Sequence, residues 1–379
     1  LIYLDNAATT PLYPEVKEHM VEHINSDSFG NPSSVHRAGR KGKALLEDAR
    51  ELIANTINAT PGEIIFTGSG TESINSAIIG TAYANILRGK HIITSAVEHH
   101  AVLNTCEYLE QQGWDVTYLP VDSKGWVNPQ HVLEAIRKDT ILVSIMYVNN
   151  EVGTIQAIEE IARVTSRYNI TLHSDMVQAY GKLKIDVKSL PVDLISVSAH
   201  KIHGPKGVGL LYIKQKLAWS PYIFGGKQER GRRAGTENMP GILGFAKAAE
   251  ITYNKLDATS RYLQGLKDTF INVLNTHLDS SKYTLNEADK VIPSILNISF
   301  KGIDAESLLI ALDLASIACS HGSACTSGSL EPSHVLEAMG LDKESIQGAL
   351  RFSFSELNNR EEIETAALTV ANLVKKMQK

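Results

Sequence analysis

Cysteine is scarce in these 379 residues, which hold only Cys106, Cys319 and Cys325. Three thiols at such uneven spacing are too few for a disulfide framework, and they favour a reducing compartment. No apolar run approaches the ~20 residues that a membrane-spanning helix needs, and no charged-then-apolar signal segment opens the chain. A cytosolic protein is therefore expected. Basic excess is missing too: a net charge of -5 leaves no footprint for nucleic acid or an anionic membrane. Internal repeats, low-complexity tracts and long disordered linkers are likewise absent. What remains, 43% hydrophobic and 21% charged residues, is the balance of an ordinary globular protein long enough for two domains.

Between about residues 62 and 213 short β-branched runs alternate with amphipathic stretches. Strands are expected at 63–67, 91–96, 116–120, 140–147, 170–174, 194–198 and 208–213. Between them Ile74, Ile78, Ala82 and Ile86 recur every fourth residue, and Ile158, Ile161, Ala162 and Thr165 share a helical face. The pattern predicts an α/β fold, a mainly parallel sheet sandwiched by helices. After about residue 255 long helical stretches take over, interrupted by a strand-like run at 295–300 and closed by a helix through Ile363, Ala366, Ala367, Val370 and Leu373. The expected division is a large domain over 15–255 and a smaller α+β domain from 1–14 and 256–379.

In such sheets ligands gather beyond the carboxyl ends of the strands. The residues there are Gly68-Ser69-Gly70-Thr71, Glu98-His99, Asn149-Asn150, Asp175 and Ser198 to Lys201, which form one candidate pocket. The glycine turn at 68–71 bares backbone N–H groups at a helix start and suits a phosphate. It is neither a Walker loop nor a dinucleotide fingerprint, because no Gly-Lys-Ser/Thr follows and the third glycine is missing. A plain Thr N-cap accounts for the same letters. Asp175 suits either a helix cap or a partner for a protonated pyridine nitrogen. His99 reads equally as a helix-start residue and as a plate over a planar cofactor.

Lys201 follows Ser198-Ala199-His200 in a turn-rich segment at a strand's end, where burial would depress its pKa and free the amine for a Schiff base. Cys325 sits among Gly and Ser in Gly322-Ser323-Ala324-Cys325-Thr326-Ser327-Gly328, a setting that favours an exposed, reactive thiol. Cys319, by contrast, ends an apolar stretch and reads as a small buried hydrophobe. A metal site from Cys319, His321 and Cys325 lacks a fourth ligand at zinc-type spacing, so none is expected. The basic run Arg230-Gly231-Arg232-Arg233 is either a solvated face or a contact for phosphate or carboxylate.

Read together, these segments resemble the NifS/IscS-like cysteine desulfurases, a class V branch of the fold-type I pyridoxal-phosphate enzymes. The match runs nearly end to end, through residues 3–10, 29–36, 70–73, Glu98-His99, 149–153, Asp175 with Gln178, 200–207, 233–236 and 322–325. The resemblance implies pyridoxal 5'-phosphate bound to Lys201 as a Schiff base, with Asp175 on the pyridine nitrogen, Gln178 on the ring hydroxyl and His99 stacked on the ring. It puts Gly70, Thr71, Ser198 and His200 around the phosphate, with Thr236 supplied by the partner subunit of a homodimer. Asn150 would border both cofactor and substrate, and Asn31 and Arg351 would join it in binding the substrate.

The implied reaction takes sulfur from L-cysteine onto Cys325 as a persulfide, leaving L-alanine, with Lys201 moving the Cα proton and His99 managing thiol protons. The sulfur then passes to an acceptor protein, for iron-sulfur cluster assembly or for tRNA or cofactor thiolation. A selenocysteine lyase or a class V aminotransferase would share most of these groups, the latter without need of Cys325. Met176, Tyr180 and His321 depart from the residues common at their positions, which touches ring packing and loop chemistry rather than the reaction.

Overall fold

A computed structural model describes residues 1–322 and 332–378. Among them, β1 (Ile2–Tyr3) is followed by β2 (Ile64–Thr67), β3 (His91–Ser95), β4 (Asp115–Leu119), β5 (Thr140–Ser144), β6 (Thr171–Asp175), β7 (Leu194–Ser198) and β8 (Gly209–Ile213). Strands β2 to β8 form one seven-stranded sheet in the order β2-β8-β7-β6-β5-β3-β4. Its neighbours are parallel except for β8, which runs against both β7 and β2. Every residue of β2, β3, β5, β6, β7 and β8 is buried. Burial on both faces explains why these strands read as continuous apolar runs rather than alternations.

Each expected strand is present, with ends shifted for local reasons. The run at 140–147 leaves β3 after Ser144, where the Met146 N–H turns to both carboxylate oxygens of Glu98, each at 3.0 Å, while Ile145 N and Tyr147 N still donate to His173 O and Asp175 O. β6 runs one residue further than expected, so Asp175 is its last residue. The helix Gly70–Ala84 stops before Ile86, which is exposed; Asn85 ends it, its side chain donating to Thr81 O at 2.9 Å.

The later part of the chain adds β9 (Tyr283–Leu285), β10 (Ile295–Phe300), β11 (Ile317–Ala318) and β12 (Ala349–Ser353). β9, β10 and β12 form an antiparallel sheet with β10 central, and β1 pairs with β11 in parallel. Helices Leu256–His277 and Arg360–Met377 bury Leu266, Phe270, Ile363 and Val370 against Leu296, Phe352 and the N-terminal Leu4. This apolar cluster is separate from the one that unites the large sheet with helices Arg37–Thr56 and Met239–Asn254. Among the described residues no helix is long and apolar enough to cross a membrane, and no cluster of His, Cys, Asp and Glu is arranged to hold a metal.

Candidate active site

The carboxyl ends of β6 and β7, the glycine turn after β2 and the N-terminal segment meet at a cavity of about 300 Å³, at the lower end of the roughly 300–1,000 Å³ usual for small-molecule sites. Gly70, Thr71, His99, Asn150, Asp175, Gln178, Ser198, His200, Lys201 and Arg351 all line it. Residues drawn from positions 70 to 351 thus converge on one cavity.

Lys201 ends the single turn Ala199–Lys201 that follows β7 directly. Its Nζ donates to Ala7 O at 2.7 Å and Ala8 O at 2.6 Å. Those carbonyls come from the N-terminal segment, which is fixed by Ala7 N donating to Ser353 Oγ at 2.8 Å. Asp175 faces the same space, its Oδ1 accepting from Val177 N at 2.9 Å. Burial pushes its carboxyl up to about 6, although the Val177 N–H and the Lys201 charge pull the other way. A cation beside it would favour the ionised carboxylate and lower that pKa.

His99 is the helix-start residue of one of the two sequence alternatives. It caps helix His100–Gln111, Nδ1 accepting from Ala101 N at 3.0 Å, and it also lines the cavity. Burial, then the charges of Lys201, His100 and His334, push its pKa down to about 4, so the ring is neutral and carries its proton on Nε2. Gln178 donates from Nε2 to Ala7 O at 2.8 Å and accepts at Oε1 from Lys182 Nζ at 2.5 Å. A carbonyl can only accept and an ammonium only donate, so both partners fix the same orientation of the amide.

The glycine turn is built by close approach. The cap of the helix is Ser69 rather than Thr71, Oγ accepting from Glu72 N at 3.1 Å, which leaves the Thr71 side chain exposed at the cavity mouth. A Cβ on Gly70 would stand 2.9 Å from Val177 Cγ2, and one on Gly209 would stand 2.8 Å from the Ser69 carbonyl carbon.

Arg351 lies on β12 and is only 1% exposed; it donates to Asp5 Oδ1 and to Asn150 O, both at 2.9 Å. Its Nε, also buried, has no hydrogen-bond partner among the described residues. Asn31 is placed apart from these residues: it is exposed, does not line the cavity, and its Oδ1 accepts from Ser33 N at 2.9 Å, holding a local turn. Thr236 is exposed and outside the cavity of its own chain. The basic run is committed to ion pairs and carbonyls, Arg230 with Glu47, Arg232 with Gly62 O and Arg233 with Glu72.

Cys325 lies outside the described residues. Of the residues flanking 323–331, Ser333 Oγ donates to Glu151 Oε2 at 2.5 Å, and that oxygen lies 3.3 Å from where a Cβ on Gly322 would stand. His334 donates from Nε2 to Glu98 O at 2.9 Å, beside His100. His321 is tied through Nδ1 to Ala349 O at 2.8 Å. Cys319 is half-buried rather than buried, and burial pushes its thiol up to about 12. Met176 and Tyr180 are fully buried, Tyr180 sharing a hydrogen bond with Thr56 Oγ1 at 2.7 Å.

Two residues beside this site escaped the sequence reading. Asp5 and Lys182 are ordinary charged letters until the fold sets them beside Arg351 and Gln178. Glu98, one of the strand-end residues of the candidate pocket, is fully buried, accepts from Ser95 Oγ at 2.6 Å, and is pushed up to about 8 by burial.

The aminotransferase class-V family model matches residues 2–365. A putative cysteine desulfurase IscS 1 from Bacillus subtilis is 48% identical over 378 residues, 99% of either chain. A cysteine desulfurase IscS from Dictyoglomus turgidum is 46% identical over all of this chain and 95% of its own. Among solved structures, a NifS-like protein superposes with a TM-score of 0.92 at 37% identity, covering 99% of both chains. SspA in complex with cysteine gives 0.84 at 38% identity over 94% of this chain and 99% of its own. The chain therefore belongs to the pyridoxal-phosphate-dependent class-V aminotransferase family, in its NifS/IscS-like branch.

Proposed function

We infer that this chain is a cysteine desulfurase that converts L-cysteine to L-alanine and passes the sulfur, as a persulfide on Cys325, to an acceptor protein. The observation that carries this is the convergence of Lys201, Asp175, Gln178, His99 and Arg351 on one cavity, together with near-half identity to curated cysteine desulfurases over their full length.

The residues present fit pyridoxal phosphate. Asp175 is a buried carboxylate whose raised pKa a ring N–H⁺ would relieve. The Ser69–Thr71 turn offers a helix start to an anion, and Ser198 and His200 flank it in the cavity wall. Lys201 supplies the amine. When bound, the cofactor provides an electron sink for negative charge at the substrate's Cα.

The chain's own groups then divide the work. Lys201 Nζ carries the Cα proton. Arg351, with Asn150 beside it, receives the substrate carboxylate; its buried Nε, without a partner among the described residues, supports this assignment. Neutral His99, with its proton on Nε2, exchanges protons with the thiol groups. The Cys325 thiolate attacks the substrate Sγ: an S–S bond forms, the C–S bond breaks with its electron pair staying on carbon, and protonation of that carbon gives alanine. The flanking Ser333 and His334 border Glu151 and Glu98, next to Asn150 and His99, which supports Cys325 as the thiol that meets the substrate.

The site's surroundings favour a homodimer. Thr71 and His99 also open onto an apolar groove of about 1110 Å³ lined by Tyr83, Tyr108, Tyr222 and Phe224, the last 84% exposed. A second copy covering this groove would bring its own exposed Thr236 to the phosphate position. The two apolar clusters support a large domain over 15–255 and a small one from 1–14 and 256–379, with the site between them. The free Cys106 and Cys319 support a cytoplasmic location. Incubation with L-cysteine should give alanine and a persulfide on Cys325 in equal amounts; 3-mercaptopyruvate formed only with a 2-oxo-acid amino acceptor would overturn the assignment.

A further inference from the structure

Ahead of the helix Met239–Asn254, the chain reverses at Gln228–Gly231 through two successive left-handed residues, Glu229 at φ 45° and Arg230 at φ 60°, followed by Gly231 at φ 76°. Left-handed backbone is unfavourable for any residue with a Cβ, so two in a row persist only where the surroundings hold them. The Glu229 carboxylate is what is held. It accepts from Arg50 Nη1 at 2.6 Å, Arg50 Nη2 at 2.8 Å and Phe66 N at 2.9 Å. Arg50 donates onward to Ile64 O at 3.0 Å, so the pair also occupies backbone groups of β2, an edge strand of the large sheet. Both side chains are almost wholly buried, at 3% and 2% exposure.

Downstream, Arg233 makes a second attachment. Its Nε and Nη2 donate to Glu72 at 2.8 and 3.1 Å, and Glu72 Oε2 also accepts from Gly68 N at 2.8 Å. Thr236 follows three residues later, exposed, just after Gly235 at φ 102°. A segment fixed at two points before it meets a ligand loses little freedom on binding.

We propose that the buried Arg50–Glu229 pair is a positioning device that holds the left-handed reversal at 229–230, and so presents Thr236 preformed to the phosphate of the cofactor in the partner subunit. This rests on Thr236 acting in trans. The pair touches neither cofactor nor substrate; it sets the geometry of a group that does.

Full-length dimers of two differently tagged subunits test this. One subunit carries Lys201→Ala, so that visible Schiff-base absorbance reports only the other, and pyridoxal phosphate is titrated into the dimer. Thr236→Ala on the Lys201→Ala subunit should raise the half-saturating concentration about 10- to 100-fold, the worth of a hydrogen bond to a charged group. Glu229→Gln there should raise it about tenfold, and on the Schiff-base subunit should leave it unchanged. Because Glu229→Gln strands a buried arginine, Arg50→Met with Glu229→Met is the second variant, which removes both charges and keeps the apolar packing. It should show the same asymmetry, with the dimer's thermal transition confirming the fold. An effect of Thr236→Ala without one from either clamp variant overturns the positioning role alone. Equal effects on both subunits mark general destabilisation and overturn it too. No effect of Thr236→Ala in trans removes the trans reading and the proposal with it.

Discussion

Asp5 and Arg351, at opposite ends of the chain, form a salt bridge of 2.9 Å at the wall of the cavity, with the arginine almost completely enclosed. The pairing follows from β12, which carries Arg351, bonding the N-terminal segment through Ser353 N to Leu4 O at 2.7 Å. Asp5 thus holds the guanidinium at one nitrogen while Asn150 O takes another, fixing the plane offered to a carboxylate. Arg351→Lys keeps the charge but not the fork. It is expected to raise KM for L-cysteine by roughly 10- to 100-fold with kcat little changed. A fall in kcat at unchanged KM would place Arg351 elsewhere in the reaction.

Lys201 and Cys325 separate cleanly in experiment. Lys201→Ala should abolish both the visible Schiff-base absorbance and alanine formation. Cys325→Ser should keep the absorbance and the response of its spectrum to L-cysteine, yet form no protein persulfide and lose on the order of 10³-fold or more in turnover, as expected when a nucleophile is removed. Persulfide detected by mass spectrometry on Cys106 or Cys319 in that variant would reassign the thiol. Their burial argues against it, each thiol being pushed up to about 12.

The large sheet was legible because its strands are buried on both faces, so their β-branched runs stand out between amphipathic helices. Site residues at strand ends, such as Asp175 and Lys201, were legible for the same reason: the rule that ligands lie beyond the carboxyl ends needs only the strand assignments. Asp5 was not, because its partner lies 346 positions away in β12. The protonation of Glu98 and Lys182 was not legible either, since burial drives both shifts, joined at Lys182 by the charges of Lys201 and Arg351, and no local pattern encodes that enclosure. The basic run at 230–233 was open to phosphate by composition, and it is spent instead on Glu47, Gly62 and Glu72.

Two buried groups give opposite pH slopes to the stability of the cofactor-free protein. Glu98, raised by burial from 4.5 to about 8, keeps its proton in the folded chain over a range where the unfolded chain has lost it. Stability therefore falls as the pH rises through that window. His173, lowered by burial from 6.5 to about 3 and set between Ser144 Oγ and Ser196 Oγ, stays neutral where the unfolded chain is already protonated. Its contribution is present above 6.5 and is lost as the pH falls towards 3. Urea midpoints measured against pH should show Glu98→Gln flattening the decline between 6.5 and 8, and His173→Asn flattening the acid side only. Unchanged slopes in both would mean that neither group titrates as its burial requires.

Gly209 and Gly70 both shape the glycine turn after β2, but what surrounds them differs. A Cβ on Gly209 would meet Val197 O at 2.6 Å and the Ser69 carbonyl carbon at 2.8 Å, both backbone, one in the β7 ladder and one in the turn itself. Neither can rotate away, so Gly209→Ala must push β8 from β7 or displace Ser69. A Cβ on Gly70 would meet only side chains, Val177 Cγ2 at 2.9 Å and Ser198 Cβ at 3.3 Å, and a change of the Val177 rotamer relieves most of that. Gly209→Ala is therefore expected to cost about 1–3 kcal/mol in stability and to weaken cofactor binding, although residue 209 does not line the cavity. Gly70→Ala should weaken cofactor binding with a smaller loss of stability. Thermal unfolding of the cofactor-free variants and pyridoxal-phosphate titration separate the two effects. A Gly209→Ala protein that melts and binds like the parent would show that the backbone of β8 does not set the turn.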